Sequence, residues 1–571
     1  MRIGCSRDRE GLIPSCPRRR APAVVPRPLL SERATTSRRL AGVDPSPCRP
    51  DGSPDGLAAS GGSGEGDGSG RVRSETLGSR TPRAHPRRLP VPTRRELAER
   101  GAQIATTLAR HFGPLALLQA RSARTGRLPL AAIAVPLRQT FEDLGGTFMK
   151  FGQLVASSPG MFGDEFAEAF RRCLDTGPIV PIGVVRDSIE ADLGMDLGDA
   201  YARFDPVPIG RASIAVVHRA LTHDRRDVAV KVLRPDVERS VATDLALLGP
   251  LLELVARQTG DQGVGTLLQI FAGFKVQIGE ELDLRNEARA MAAFKDLLGE
   301  VDLPLLVVPE RYPELSGPRV LTMSYLDGVA VDDLAGAADL GVDPAPLVEQ
   351  VVRAFFLTAT RWGAFHGDVH AGNMLILRDG RMGIIDWGIV GRLDAETHRF
   401  FVRLLAAALG DETAWSEIAA HLTLTYGPAM QEGLGLSDIE LSRFIQQLIE
   451  PVLTRPFGEV SLAALIQAPL VQASKAQGIE THNRSIRSLV GRVRAGRRLR
   501  RLADESGGTS SDFDRGMYLL GKQLMYFERY GKMFLADVPI LGDRPFFEHL
   551  VATAPIAPPD VAPDAPPDVA T

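Results

Sequence analysis

The run His366-Gly-Asp-Val-His-Ala-Gly-Asn373, followed by Ile384-Ile-Asp-Trp-Gly388, constrains this chain more than any other stretch. Asp368 stands five residues before Asn373. A carboxylate there can accept a proton from a hydroxyl or a water, and the Asn373 side chain can hold a metal ion. Asp386 follows an apolar, β-like run and suits a second metal-binding position. A lone H-x-D carries little information. Two motifs separated by strand-like Met374–Leu377 and Met382–Ile385 carry far more.

Asp227-Val-Ala-Val-Lys231-Val reads as a strand. Alternation puts Lys231 on the face of Ala229, with Val230 and Val232 opposite. A small neighbour leaves room for a ligand, and a lysine facing a cleft wants an anion such as a phosphate or a helix glutamate. Glu287 is the glutamate expected there, on a helix predicted over Thr266–Leu298, where Glu280, Asp283 and Glu287 share one face. Alone, such a face is ordinary solvated helix surface. Upstream, Pro208–His218 runs into the first clear strand. Gly210, Ala212 and Ser213 allow close backbone approach to a phosphate, although G-x-G-x-x-G is missing. Phe148-Met-Lys150-Phe-Gly152-Gln153 reads, from its residues alone, as a helix end with a glycine.

Lysine is scarce: it occurs only at 150, 231, 275, 295, 475, 522 and 532, and every other cation of this kind is arginine. Base composition explains the bias. Against it, Lys150 and Lys231 inside motifs suggest a need for a compact point charge.

The chain is organised in blocks. Residues 1–93 form a basic, Gly/Ser-rich arm expected to be disordered. Residues 94–200 are helical, with apolar spacings such as Leu97, Ile104, Leu108 and later Phe166, Phe170, Leu174. Residues 201–328 are strand-rich, with strands expected at Ile214–Leu221, Asp227–Leu233, Leu305–Val308 and Arg319–Tyr325. Residues 329–545 are helix-rich apart from the motifs, and 546–571 form a Pro/Ala-rich tail. The expected class is α+β with two lobes, strands first and helices second.

The net charge of −3 argues against general nucleic-acid binding. Cys5, Cys16, Cys48 and Cys173 lack metal spacing and fit a reducing compartment. No apolar run reaches the ~20 residues of a membrane-spanning helix, and no secretory signal is evident, so a cytoplasmic protein is expected. The arginine cluster Arg484–Arg501 suggests peripheral contact with anionic lipid, or simply a solvated basic helix.

In order and spacing, these motifs resemble the catalytic loop, metal aspartate and phosphate-binding lysine of a protein kinase. With Lys150–Gln153 and Glu281–Asp283 beside them, the chain resembles the UbiB/AarF family of atypical protein-kinase-like proteins over roughly residues 96–545. The resemblance implies a kinase-like fold with an N-terminal helical extension bearing K-x-G-Q at Lys150, Gly152 and Gln153. It implies a nucleotide loop at Gly210, Arg211, Ala212 and Ser213, and an E-x-D motif at Glu281 and Asp283. Lys231 would pair with Glu287, Asp368 would be catalytic, and Asn373 and Asp386 would hold Mg²⁺. Met323 and Tyr325 would line an adenine hinge. ATP and Mg²⁺ are the implied cofactors.

The extension is expected to fold over the cleft, with K-x-G-Q meeting E-x-D where a protein substrate would otherwise sit. ATP hydrolysis or small-molecule phosphotransfer is then expected rather than protein phosphorylation, in support of isoprenoid quinone or other lipid metabolism. Gly210-Arg211 departs from the family's alanines, Val216 from its Gln, Ser324 from its Glu and Trp387 from its Phe. The C-terminal membrane segment of some members is not expected here.

Two other readings stand beside this one. His-Gly-Asp-Val-His and Ile-Asp-Trp-Gly also suit a small-molecule phosphotransferase of the aminoglycoside- or choline-kinase type. A nucleotide-gated scaffold or lipid-binding protein would keep the same motifs without turnover.

Overall fold

Strand alternation is realised directly in the first sheet. The computed structural model describes residues 84, 86–121, 130–156, 169–170, 177, 179–259, 262–426, 436–462 and 515–555. Arg484–Arg501, the four cysteines, Phe166, Leu174 and nearly all of the 1–93 arm lie outside them. The sheet runs β1 (Arg203–Phe204), β3 (Ala215–Leu221), β4 (Asp227–Leu233), β6 (Val320–Ser324), all antiparallel, with β2 (Gly210–Arg211) also paired to β3. Val228, Val230 and Val232 join one apolar cluster with Val185 and Ile189. Ala229 and Leu233 join the main core on the other face. Lys231 therefore projects on the Ala229 side, as the two-residue period requires.

A second sheet, in the order β5 (Leu306–Val307), β10 (Met382–Ile384), β9 (Met374–Leu377), β7 (Gly328–Ala330), carries the β9–β10 pair that joins the two sequence motifs. Here the structure differs from the block boundary read at residue 328. β5 lies parallel to β10 and belongs with that pair, not with the first sheet. β8 (Ala364–His366) pairs with β11 (Val390–Arg392).

The extension contains α1 (Arg94–Arg121), α2 (Leu130–Leu144) and α3 (Gly146–Ala156), then α4 (Ile182–Leu193) and α5 (Leu197–Ala200). Gly145 and Gly146 have φ of +66° and +43°, which turns the chain sharply between α2 and α3. α3 docks through aromatic rings on the helix pair α6 (Val237–Thr259) and α7 (Gln262–Glu281). Phe151 meets Phe274 at 5.3 Å and Phe271 at 6.0 Å, and Phe141 meets Phe148 at 5.7 Å. Such pairs add roughly 0.5–1.5 kcal/mol each beyond their buried area. Arg100 adds a polar tie, donating to Asp244 at 2.7 Å and to the Leu144 carbonyl at 2.9 Å.

The helix expected over Thr266–Leu298 is two helices, α7 and α8 (Leu284–Gly299). Asp283 interrupts them because its carboxylate accepts the Arg285 N–H at 3.1 Å and caps α8. Glu280 and Asp283 thus do not share a helix face with Glu287.

In the helical lobe, α9 (Leu334–Leu340) precedes α10 (Pro344–Trp362), which starts with Asp343 as cap and Pro344 in its first turn. Gly363, at φ +63°, ends α10 and turns the chain directly into β8. Among the described residues, α11 (Ala395–Ala408), α12 (Glu412–Tyr426), α13 (Asp438–Thr454), α14 (Arg515–Phe534) and α15 (Arg544–Ala552) follow in the lobe. α15 runs past residue 546, with Phe547 and Leu550 buried, so the tail begins later than its composition suggested. Among the described residues no helix is long and apolar enough to cross a membrane.

Candidate active site

β8 delivers His366 to the loop His366–Asn373, and three bonds stitch that loop to the segment around Asp386. Gly367 N–H donates to the Ile389 carbonyl at 2.9 Å, and Ile385 N–H to the Asn373 carbonyl at 3.0 Å. His366 Nε2 bonds the Asp386 carbonyl, while its Nδ1 accepts the Asp368 N–H at 3.1 Å. His366 is a neutral brace with its proton on Nε2, and burial pushes its pKa down. His370 caps the short turn Ala371–Asn373 by accepting the Gly372 N–H at 3.0 Å. Asn373 Nδ2 donates to the Asp368 carbonyl at 2.9 Å, which leaves Oδ1 of Asn373 as an oxygen donor.

Lys231 lies between two carboxylates. Its Nζ is 2.8 and 3.0 Å from the Glu287 oxygens and 3.3 Å from Asp386 Oδ2. Glu287 is buried, whereas Asp386 keeps 43% of its side chain exposed at the cleft. Burial disfavours the Lys231 ammonium, but Asp386 and Glu287 hold it charged well above its usual range. The enclosing protein works against ionised Asp386 too, yet Lys231, the Gly388 N–H and Lys150 keep its carboxyl far below the usual range. Glu287 is pushed up to about 7, by burial first and by the Asp386 charge, with Lys231 pulling the other way.

Lys150 forms an ion pair with Glu281, so α3 of the extension meets the end of α7. The motif lies inside α3 rather than at a helix end. Gly152 is tightly packed: a Cβ there would stand 3.1 Å from Phe141 and 3.2 Å from Phe170, so these rings would have to give way by a few tenths of an ångström. Gln153 shares the helix. The pair adjoins the charged cluster: a Cβ on Gly388 would stand 3.1 Å from Asp386 Oδ1, 3.8 Å from Glu281 and 3.9 Å from Glu287. Asp283 is used differently from Glu281, as the cap of α8 with Arg285 paired to it at 2.6 Å.

Other expected residues have quieter surroundings. Gly210 and Arg211 form β2, with Arg211 exposed. The Ala212 carbonyl accepts Arg234 Nε at 3.0 Å, and Ser213 is buried. Met323 pairs with Ala229 across the sheet. At the expected hinge, Ser324 N–H donates to the Glu310 carbonyl at 2.8 Å and Tyr325 N–H to the Asp227 carbonyl at 3.0 Å. Trp387 packs 4.7 Å from Phe294 and 4.7 Å from His366, its indole N–H satisfied by the Ile384 carbonyl at 2.8 Å.

Sequence reasoning placed α14 inside a helix-rich block but gave it no part in the site. Lys522 on that helix lies 2.8 Å from Asp368 Oδ1, and the Tyr526 hydroxyl donates to the same oxygen at 3.4 Å. Burial opposes ionised Asp368, but Lys522 and His370 outweigh it and lower its pKa. Lysine scarcity was the one available signal: Lys522 is a third rare lysine at the site.

Residues 172–419 match the ABC1 atypical kinase-like domain. An uncharacterized protein of Mycobacterium tuberculosis is 31% identical over 461 residues, 80% of this chain and 84% of that one. An aarF domain-containing protein kinase of Arabidopsis thaliana is 31% identical over 416 residues, covering 72% and 73%. The chain belongs to the UbiB/AarF family. A UbiB protein of Azotobacter vinelandii is 32% identical over 342 residues, covering 58% of this chain and 61% of that one. Within this family frame, Lys150 and Lys522 both fall outside the matched domain.

The donor set fits Mg²⁺. Among the described residues no group of three or more His, Cys, Asp or Glu gathers to cage a metal ion. One carboxylate and one amide oxygen, from Asp386 and Asn373, suit a hard cation that completes its shell with phosphate oxygens and water. Bound there, it would neutralise charge developing on a transferring phosphoryl group.

Proposed function

We propose that this protein is an atypical kinase or ATPase of the UbiB type, dependent on Mg-ATP and supporting isoprenoid quinone or related lipid metabolism. The observation that carries the reading is Lys231 held between Glu287 and Asp386, 2.8 and 3.3 Å away. Lys231 orients phosphates, Asn373 and Asp386 hold the cation, and Asp368 takes the proton of an acceptor hydroxyl or of water. Positioning and electrostatics dominate such chemistry. The ion pair of Lys150 with Glu281 favours this reading over an aminoglycoside- or choline-kinase type, which gives that pair no role. With the extension docked beside the cleft, water or a small molecule is a better acceptor than a protein. Arg211 adds a cation near the nucleotide loop, and Arg484–Arg501 would supply contact with an anionic membrane surface.

Asp386→Asn tests the assignment in the full chain. The variant should keep its circular dichroism spectrum and lose Mg-ATP turnover by more than about a hundredfold. Wild-type protein should also unfold at a higher temperature with Mg-ATP, by about 2.7 kcal/mol of stabilisation at 100 times the dissociation constant. Undiminished turnover in Asp386→Asn would sink the reading.

A further inference from the structure

α14 presents a polar stripe to the site. Arg515, Tyr518, Lys522 and Tyr526 recur at spacings of three and four, so they lie along one side of the helix. Leu519, Leu520, Gln523, Phe527 and Tyr530 are buried and hold the helix in the core. Along the stripe, Arg515 pairs with Glu280 at 2.7 Å. The Tyr518 hydroxyl donates to the Leu154 carbonyl at 3.4 Å. Lys522 and Tyr526 both bond Oδ1 of Asp368. One helix thus touches the end of α7, the α3 helix of the extension and the catalytic loop. Lys522 keeps only 9% of its side chain exposed, an unusual place for a lysine unless its charge is used.

We propose that Lys522, assisted by Tyr526, is a positioning residue for the catalytic carboxylate. Resting on the phosphotransfer reading above, the assignment deepens it. The ammonium and the phenol occupy Oδ1, and Oδ2 is left to take the acceptor's proton. In the step itself, the acceptor oxygen bonds the γ-phosphorus of ATP while its O–H proton passes to Oδ2 of Asp368. The bond between the γ-phosphorus and the β–γ bridging oxygen breaks and ADP leaves. A carboxylate free to rotate would present neither oxygen reliably, and misplacement of a reacting group by a fraction of an ångström is enough to slow such a step. Within the catalytic loop, His370, two residues after Asp368, is engaged in capping its own turn. The ammonium that meets the carboxylate arrives instead from a different part of the chain.

The test uses the full chain with Lys522→Met, Lys522→Arg and Tyr526→Phe, alone and in an Asp368→Asn background. Lys522→Met should lower kcat by about a hundredfold, the scale of a general-base contribution, with KM for ATP changed less than about threefold. Lys522→Arg, which keeps the charge, should recover at least about a tenth of wild-type kcat, and Tyr526→Phe should lose less than about tenfold. Lys522→Met added to Asp368→Asn should cost no further activity, because residues acting through one another are not additive. Multiplying losses in the double variant, or a rise in turnover on losing Lys522, would overturn the inference.

Crystal structures of wild type and Lys522→Met give a readout that needs no turnover. The Asp368 carboxylate should leave its position in the variant, and an unmoved carboxylate overturns the inference. Wild-type protein without any Mg-ATP turnover would instead overturn the phosphotransfer reading, with the crystal comparison still deciding the role of Lys522.

Discussion

Glu287 is the residue whose protonation carries the most information about the site. It shares one ammonium with Asp386, and of the two carboxyls it is the more deeply buried. Its pKa is pushed up to about 7 from an ordinary 4.5, so the folded protein binds this proton more tightly than the unfolded chain. The stability it contributes is therefore complete below about pH 4.5 and lost as pH rises through about 7. Asp386 and Asp368, whose carboxyls are lowered, make contributions already present across this window. Buried His218, His366 and His398, with lowered pKa values, act in the opposite sense. The difference between wild type and Glu287→Gln isolates the effect. Urea unfolding without nucleotide at pH 5 and pH 8 should show wild type losing more stability between them than Glu287→Gln does. Equal losses would mean that Glu287 is ionised throughout.

At the scale of the element, the break between α7 and α8 decides how Glu287 is held. Asp283 caps α8, and Glu287 sits in that helix's first turn. Asp283→Ala should destabilise by about 0.5–2 kcal/mol and loosen Glu287, whereas Asp283→Asn keeps a good cap and should stay close to wild type in both stability and turnover. Turnover lost equally in both variants would give Asp283 a chemical role instead. The same break shows where sequence reading stops. β4 was legible to the residue, because alternation over Asp227–Leu233 leaves one consistent pair of faces. The α7–α8 boundary was not, because Ile278 and Leu282 keep the apolar spacing of a helix right up to the break and only the capping bond of Asp283 reveals the turn. β5 was legible as a strand but not as a partner of β10, since parallel pairing across a long separation leaves no local mark. The cluster at Asp368, Asn373 and Asp386 was readable from spacing. Lys522 was not, because its partner lies far away in sequence and its own surroundings form no motif.

For the whole molecule, the question is what makes the extension one body with the kinase-like lobes. Apolar packing of Phe151 on Phe271 and Phe274 supplies area without specifying register. Polar ties add that specification: Arg100 to Asp244 and Lys150 to Glu281, all four side chains largely buried. Burial makes these ties strict. Removing one partner leaves a desolvated charge, which is far worse than removing both. Lys150→Ala and Glu281→Ala should therefore each destabilise strongly, and the double variant less than their sum, with a coupling of about 1–3 kcal/mol in denaturant titrations. A coupling near zero would mean that the aromatic contacts alone dock α3. Docking is tied to the chemistry because Lys150 also helps to hold the Asp386 carboxyl low. Loosening the extension should therefore weaken the Mg-ATP-dependent rise in unfolding temperature in Lys150→Ala, through the charge at Asp386, even where the fold survives.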